Sequence, residues 1–242
     1  MYRKDTMAIP DHRKGGQYLK DVVYGANDGI ITTFAVVAGV AGADLSSYIV
    51  FLLGLANLFA DGFSMAASNY LGTKSEQDFY IHERSTEERE WQEVPEEELA
   101  EMRGILLKRG YSKDDVDQML PLLFKNKNFW LDLMLKEELA LCMPEHFSSK
   151  NALKSAVVTF IAFVGAGLIP LAPYFIALPV FSSIFYAAIA CTAIALFIVG
   201  SLRAIFTRRN IAVSGLEMLF VGGVAASIAY GVGYVMSQLF GV

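Results

Sequence analysis

Long apolar runs and one long polar block divide this chain. Five of the runs are long enough to cross the ~30 Å hydrocarbon core of a bilayer at 1.5 Å per residue, which takes about 20 mostly apolar residues. They lie near Val22 to Ala43, Ser47 to Tyr70, Leu153 to Pro173, Leu178 to Ile205 and Ile211 to Val235. The polar block, from about Gly72 to Phe147, is rich in Glu, Leu, Lys and Arg and poor in β-branched runs, so it too predicts helix. The pattern gives an all-α membrane protein: five transmembrane helices with a helical domain inserted between helices 2 and 3. Residues 1–71 carry the N-terminal segment and the first two spans, 72–150 the inserted domain, and 151–242 the last three spans.

Punctuation inside the polar block sets its helices. No Gly or Pro interrupts TKSEQDFYIHERSTEEREWQEV, so the second span should continue straight into the block. Pro95 then ends that helix or opens the next, because proline fits the first helical turn and little else in a helix. Gly110 is placed as the stop after EEELAEMRGILLKRG. Ser112 is a natural N-cap, with Asp115 three residues on as an Asp variant of the capping box. A last helix, NFWLDLMLKEELALCM, leads through Pro144 to the third span, for a unit of three or four helices.

Charge adds an orientation. Arg3, Lys4, Arg13, Lys14 and Lys20 precede the first span, and Arg203, Arg208 and Arg209 separate the fourth from the fifth. The other short flanks, GADLSS, LAPYFIALP and SQLFGV, contain no Lys or Arg. By the positive-inside rule the N-terminus and the inserted domain are cytoplasmic and the C-terminus lies on the opposite side. The N-terminal stretch lacks an apolar core ahead of a cleavage site, so no cleaved signal peptide is expected.

Composition sharpens the class. With 54% hydrophobic residues and a mean hydropathy of +0.41, divided into blocks, the chain does not read as a soluble globular domain. Its net charge of −5 hides an asymmetry: residues 75–150 hold 18 acidic and 10 basic side chains, and the rest of the chain 7 and 10. An acidic block of that kind disfavours nucleic acid and suits cations. Cys142 and Cys191 fall in different blocks, which argues against a structural disulfide and a thiolate zinc site.

Carboxylates inside the spans carry the chemistry. Asp28, in Asn27-Asp28-Gly29, lies about two turns into the first span, and Asn57, Asp61 and Met65 recur every four residues along the second, flanked by Ser64 and Ser68. A carboxylate at the centre of a membrane helix costs at least ~2.5 kcal/mol, so it faces a pathway or a partner more often than lipid. Asn and Ser also serve as plain hydrogen-bonding links between helices. Carboxylate beside thioether suits a first-row divalent ion such as Fe²⁺ over Mg²⁺ or Ca²⁺, although a methionine in an apolar helix commonly just packs. In the acidic block, Glu87 with Glu90 and Glu98 with Glu101 share helix faces at i, i+3, and Met134 with Glu138 at i, i+4, each able to present two donors. The plainer reading is a solvated face paired with Arg84, Arg89 and Arg103. Glu93, Glu97, Glu137 and His82 are second-rank candidates, and Glu217 is an interfacial anchor or a packing partner.

Glycines and other small residues (GVAGA after Val36, GAG at Gly165 to Gly167, GGVAAS and GVG in the fifth span) read mostly as close helix packing. An intramembrane enzyme is disfavoured: His12, His82 and His146 lie outside the spans, and no Ser-His arrangement or metalloprotease helix motif is present. The Glu-x-x-His pairs of ferritin-like di-iron sites are missing too. No catalytic residue and no cofactor is expected.

DVVYGANDGIITTFAVVAGVAGA, followed by GLANLFADGFSMAASNYLGTKSEQD and an acidic helix containing ERE, resembles the vacuolar iron transporter family from about Lys20 to the C-terminus. The resemblance implies a five-span fold that forms a homodimer, with the path between the two copies of the first two spans. It implies export of Fe²⁺, often also Mn²⁺, from the cytosol, with protons as the coupling ion. Asp28 and Met65 would match the family's residues in the path, and Glu87, Glu90, Glu98, Glu101, Met134 and Glu138 the ligands of its cytoplasmic metal-binding domain. Plant members carry Glu four residues after the second-span methionine; this chain has Asn69, and Asp61 is the carboxylate that would stand in. The rival reading is a membrane-anchored metal sensor or buffer without transport. A prokaryotic plasma membrane is favoured as host, with a vacuolar membrane as the alternative.

Overall fold

A computed structural model describes residues 18–141, 149–176 and 184–241. Arg3, Lys4, Arg13 and Lys14 of the basic flank with His12, the Cys142 and His146 positions, and the link before the fourth span lie outside the described residues. Those described form eight helices and no strand: α1 (Leu19–Gly42), α2 (Ser47–Glu93), α3 (Pro95–Lys108), α4 (Lys113–Phe124), α5 (Lys127–Glu137), α6 (Ser149–Ile176), α7 (Ile184–Thr207) and α8 (Ile211–Phe240). Five of them, α1, α2, α6, α7 and α8, are long and apolar enough to span a membrane. The chain divides into two compact units: residues 1–70 with 153–242, and residues 71–152.

In the first unit α1 is the central helix. Its neighbours reach it through glycines: a Cβ on Gly29 would overlap the Phe163 carbonyl of α6, and one on Gly42 the Tyr230 carbonyl of α8. Gly167 of α6 lies in turn against the Gly29 carbonyl and the Leu58 side chain of α2. In lipid, where apolar burial between helices brings little, such close van der Waals approach is what holds helices together. Not every small residue serves it, since Gly165, Gly223 and Gly231 face open space. Phe34, Val37, Val50, Leu58, Phe163 and Leu171 form the main core of this unit. Outward-facing surfaces stay apolar, with Phe63, Ile161, Ile194 and Phe220 all exposed, as a lipid-facing surface requires.

The second unit owes its shape to helix ends. Helix α2, 47 residues long, extends about 70 Å, more than twice the thickness of a hydrocarbon core, so it cannot lie wholly within one. It stops at Glu93, and Pro95 takes the first position of α3, where its missing N–H is harmless. The far end of α3 closes as a Schellman motif: Gly110 sits at φ +98, its N–H bonds to the Leu107 carbonyl, and the Tyr111 N–H bonds to that of Leu106. Ser112 caps α4 through the Asp115 N–H at 3.2 Å. Asp115 answers by accepting from the Ser112 hydroxyl at 2.6 Å, where a capping box would have it accept from the backbone N–H. Asn126 caps α5 through the Phe129 N–H. The apolar sides of α3, α4 and α5 meet around Met102, Leu106, Val116, Leu120, Trp130, Leu131 and Met134.

Candidate metal centre and intramembrane carboxylates

Acidic residues of α2 and α3 converge in the second unit. One carboxylate oxygen each from Glu87, Glu90 and Glu98 lies within 4.8 Å of the others, close enough for a single ion to touch all three. The turn at Pro95 is what folds α3 back so that Glu98 meets a pair set at i, i+3 on α2. Glu87 and Glu98 are buried, and Glu87 Oε2 has no hydrogen-bond partner. Glu98 Oε2 accepts from the indole N–H of Trp130 at 3.1 Å.

Four cations of this unit are committed to other acids. Arg84 pairs with Asp132, Arg103 with Asp117, Arg109 with Glu137 and Lys127 with Glu88. Among the described residues no ion pair includes Glu87, Glu90, Glu98, Glu101 or Glu138. Exposed surface pairs contribute little stability; here their effect is to leave the buried acids without a counter-charge.

That shows in proton affinity. Burial pushes the Glu87 carboxyl up to about 8, with further upward pressure from Glu98, Glu138, Glu90 and Glu101. Glu98 is raised by burial against the opposing pull of the Trp130 hydrogen bond, with Glu101, Glu90 and Glu138 adding to the rise. Glu138, at the exposed rim, is raised by partial desolvation and then by Glu101 and Glu90. Five carboxylates thus feel one another across α2, α3 and the end of α5.

Met134 is fully buried in the apolar core beside Trp130 and Leu131, while Glu101 is exposed. Of the second-rank candidates, Glu137 is bound to Arg109, and Glu93, Glu97 and His82 are exposed.

In the first unit, Asn57 Nδ2 donates to Asp61 Oδ2 at 2.7 Å, one turn apart on α2. Asp28, on α1, feels the charge of Asp61, so the two helices bring their aspartates into electrostatic reach. Both are half-buried, as is Met65, which packs against the main core. Ser64 and Ser68 are exposed. Asn69 is engaged differently: its Nδ2 donates to Thr159 Oγ1 at 2.8 Å and to Asp21 Oδ1 at 3.2 Å. Asp21 also accepts from the Ser155 hydroxyl, which ties α1, α2 and α6 together. Glu217 faces Arg203 at 4.0 Å.

Two residues were not foreseen. Asp21 lies seven residues before Asp28, two turns away on the same helix face, a spacing that would have found it. Nothing in the local sequence ties Trp130 to Glu98, 32 positions away.

Fold and site together define a polytopic, all-helical membrane protein with aspartates set in its spans and a cluster of unneutralised glutamates outside them. The chain belongs to the VIT family, whose profile matches residues 19–234. Among its relatives, vacuolar iron transporter 1 of Arabidopsis thaliana is 37% identical over 219 residues, covering 90% of this chain and 86% of the relative. The vacuolar iron transporter of Toxoplasma gondii is also 37% identical, over all of this chain and 82% of its own length. Vacuolar iron transporter 1 of Tulipa gesneriana is 35% identical, with coverages of 90% and 87%.

Proposed function

We propose that this protein exports Fe²⁺, and with it Mn²⁺, from the cytosol across its membrane in exchange for protons. The Glu87–Glu90–Glu98 cluster, with Glu101, Glu138 and Met134 around it, captures the ion. Asp28, Asp61 and Met65, with Asn57 and Asn69 on the same helix, line its way through the membrane. Metal and proton compete for the same carboxylate oxygens, so protons arriving from the far side release the ion there.

One observation favours transport over a membrane-anchored sensor or buffer: Asp28 and Asp61 sit half-buried on two different apolar helices, each long enough to span a membrane. An anchor has no use for two carboxylates there, and each is costly to insert. A cation passing between them offsets both charges.

The positive flanks read from the sequence support an acidic unit in the cytosol, where it raises the local cation concentration. A homodimer would place two sets of these aspartates around one path. A prokaryotic plasma membrane is the host proposed, and the relatives' names support a vacuolar membrane as the alternative. In either membrane the ion leaves the cytosol.

The test is Fe²⁺ flux into proteoliposomes with and without an inward-acidic pH gradient, for the unchanged protein and for Asp28→Ala. Gradient-dependent uptake that vanishes in the variant is the expected result. Metal binding with no flux in any condition would establish the sensor or buffer instead.

A further inference from the structure

Trp130 is wholly buried, and its indole N–H donates to Glu98 Oε2 at 3.1 Å. Among the described residues, no other donor reaches Glu87, Glu90 or Glu98. The indole cannot swing away: Phe124 packs edge-on against it at 5.0 Å and itself stacks on Trp91 at 5.1 Å. The Trp91 ring lies under the Lys127 ammonium, and that ammonium is held by Glu88. A chain of packed rings therefore fixes the direction from which the N–H meets the carboxylate.

We propose that Trp130 is a positioning residue: by holding one oxygen of Glu98 it leaves the other as a single metal donor, which biases the cluster toward first-row divalent ions and against Ca²⁺. This rests on the reading of the cluster as the site of metal capture. Ca²⁺ collects six to eight oxygens and commonly takes both oxygens of one carboxylate, in a loose shell. An oxygen already accepting an indole N–H is a poor second arm for such a chelate, and the proton brings partial positive charge up to it. The fixed plane of Glu98 also resists the rotation that would turn both oxygens to the ion. Smaller first-row ions accept single oxygens in tighter shells and lose nothing by the restriction. A hydrogen bond to a metal-bound carboxylate orients it in the same way that outer partners orient ligands elsewhere.

The test uses the full chain in detergent, titrated with Mn²⁺ and with Ca²⁺. Trp130→Phe keeps the buried ring and removes the donor. Mn²⁺ affinity should fall ~10-fold, the lower end of what losing an outer partner does, while Ca²⁺ affinity holds or rises, so the preference between them narrows. An independent readout does not depend on that variant folding. In a Trp91→Phe background Trp130 is the sole tryptophan, and saturating Mn²⁺ should move its emission maximum as Glu98 charge is drawn from the indole to the ion. Glu98→Gln in the same background should abolish the movement. An unchanged Mn²⁺-to-Ca²⁺ preference in Trp130→Phe, a parallel loss of both affinities, or an unmoved emission maximum overturns the assignment alone. No Mn²⁺ binding by the unchanged protein overturns it together with the metal-capture reading.

Discussion

Asn57 Nδ2 donates to Asp61 Oδ2 at 2.7 Å, one turn along α2, and so orients a carboxylate whose charge reaches Asp28 on α1. A hydrogen bond to a charged group contributes ~1.5 kcal/mol or more, roughly a tenfold effect on an equilibrium. Asn57→Ala should therefore slow Fe²⁺ uptake into proteoliposomes by about tenfold. Asp61→Asn, which removes the charge itself, should slow it further. Equal rates in all three proteins would exclude Asp61 from the path.

The carboxyl of Glu87 makes the acidic unit sensitive to pH. It ionises at 4.5 when unperturbed and at about 8 in the folded chain. Between those values the folded protein holds a proton that the unfolded chain has lost. Stability from this group is therefore full below pH 4.5, falls as pH rises, and is gone above about 8. Both tryptophans of the chain, Trp91 and Trp130, lie in this unit, so tryptophan emission follows its melting. Without metal, the melting temperature should drop between pH 5 and pH 8, and Glu87→Gln should flatten the drop.

Divalent metal should act in the opposite direction. Bound at the cluster it replaces the protons and offsets the repulsion, and a ligand that binds only the folded state raises the melting temperature. Mn²⁺ should therefore raise the melting temperature more at pH 8 than at pH 5. Glu87→Gln should lose most of that protection. Protection independent of pH would show that the ion binds elsewhere.

Gly29 is a stringent test of the membrane fold, because a Cβ there meets the Phe163 backbone, which has no room to move aside. Gly29→Val should destabilise the protein by about 1 to 3 kcal/mol, the range of overpacked sites, and should also displace the adjoining Asp28. Gly165→Ala, facing open space, should be neutral or slightly stabilising. Thermal unfolding in detergent checks both.

Asn69 binds Asp21 and Thr159, so its removal should act first on stability. Asn69→Ala should destabilise by about 1 kcal/mol for each hydrogen bond lost. Uptake per folded molecule should fall less than in Asp61→Asn. A larger loss of uptake than in Asp61→Asn would put the Asn69 amide in direct contact with the ion.

Much of this was legible in the chain. The five apolar runs, the break at Pro95, the stop at Gly110 and the cap at Ser112 depend on neighbours within a few residues. The five runs each hold a span-length helix, although α6 continues past Pro173 to Ile176 and the expected start of the fourth run, Leu178, lies outside the described residues. Asp28 and Asp61 were conspicuous because a carboxylate in an apolar run has no ordinary explanation. Glu87 and Glu90 were visible as a pair on one helix face. The Glu-rich block could still be read either as a solvated face or as a cluster, because composition is the same in both.

What the sequence by itself determined is everything set at short range: helix ends, apolar spans, and which side chains share a face. Tertiary structure decided which faces meet. It brought Glu98 of α3 to Glu87 of α2, sent Arg84 and Arg103 to other acids, and placed Trp130 on Glu98 and Asn69 on Asp21. Those contacts join residues 11 to 48 positions apart, through glycine contacts and a buried aromatic core that local periodicity does not encode. A carboxylate's burial and its counter-charge are set by that packing, and with them its hold on a proton or a metal.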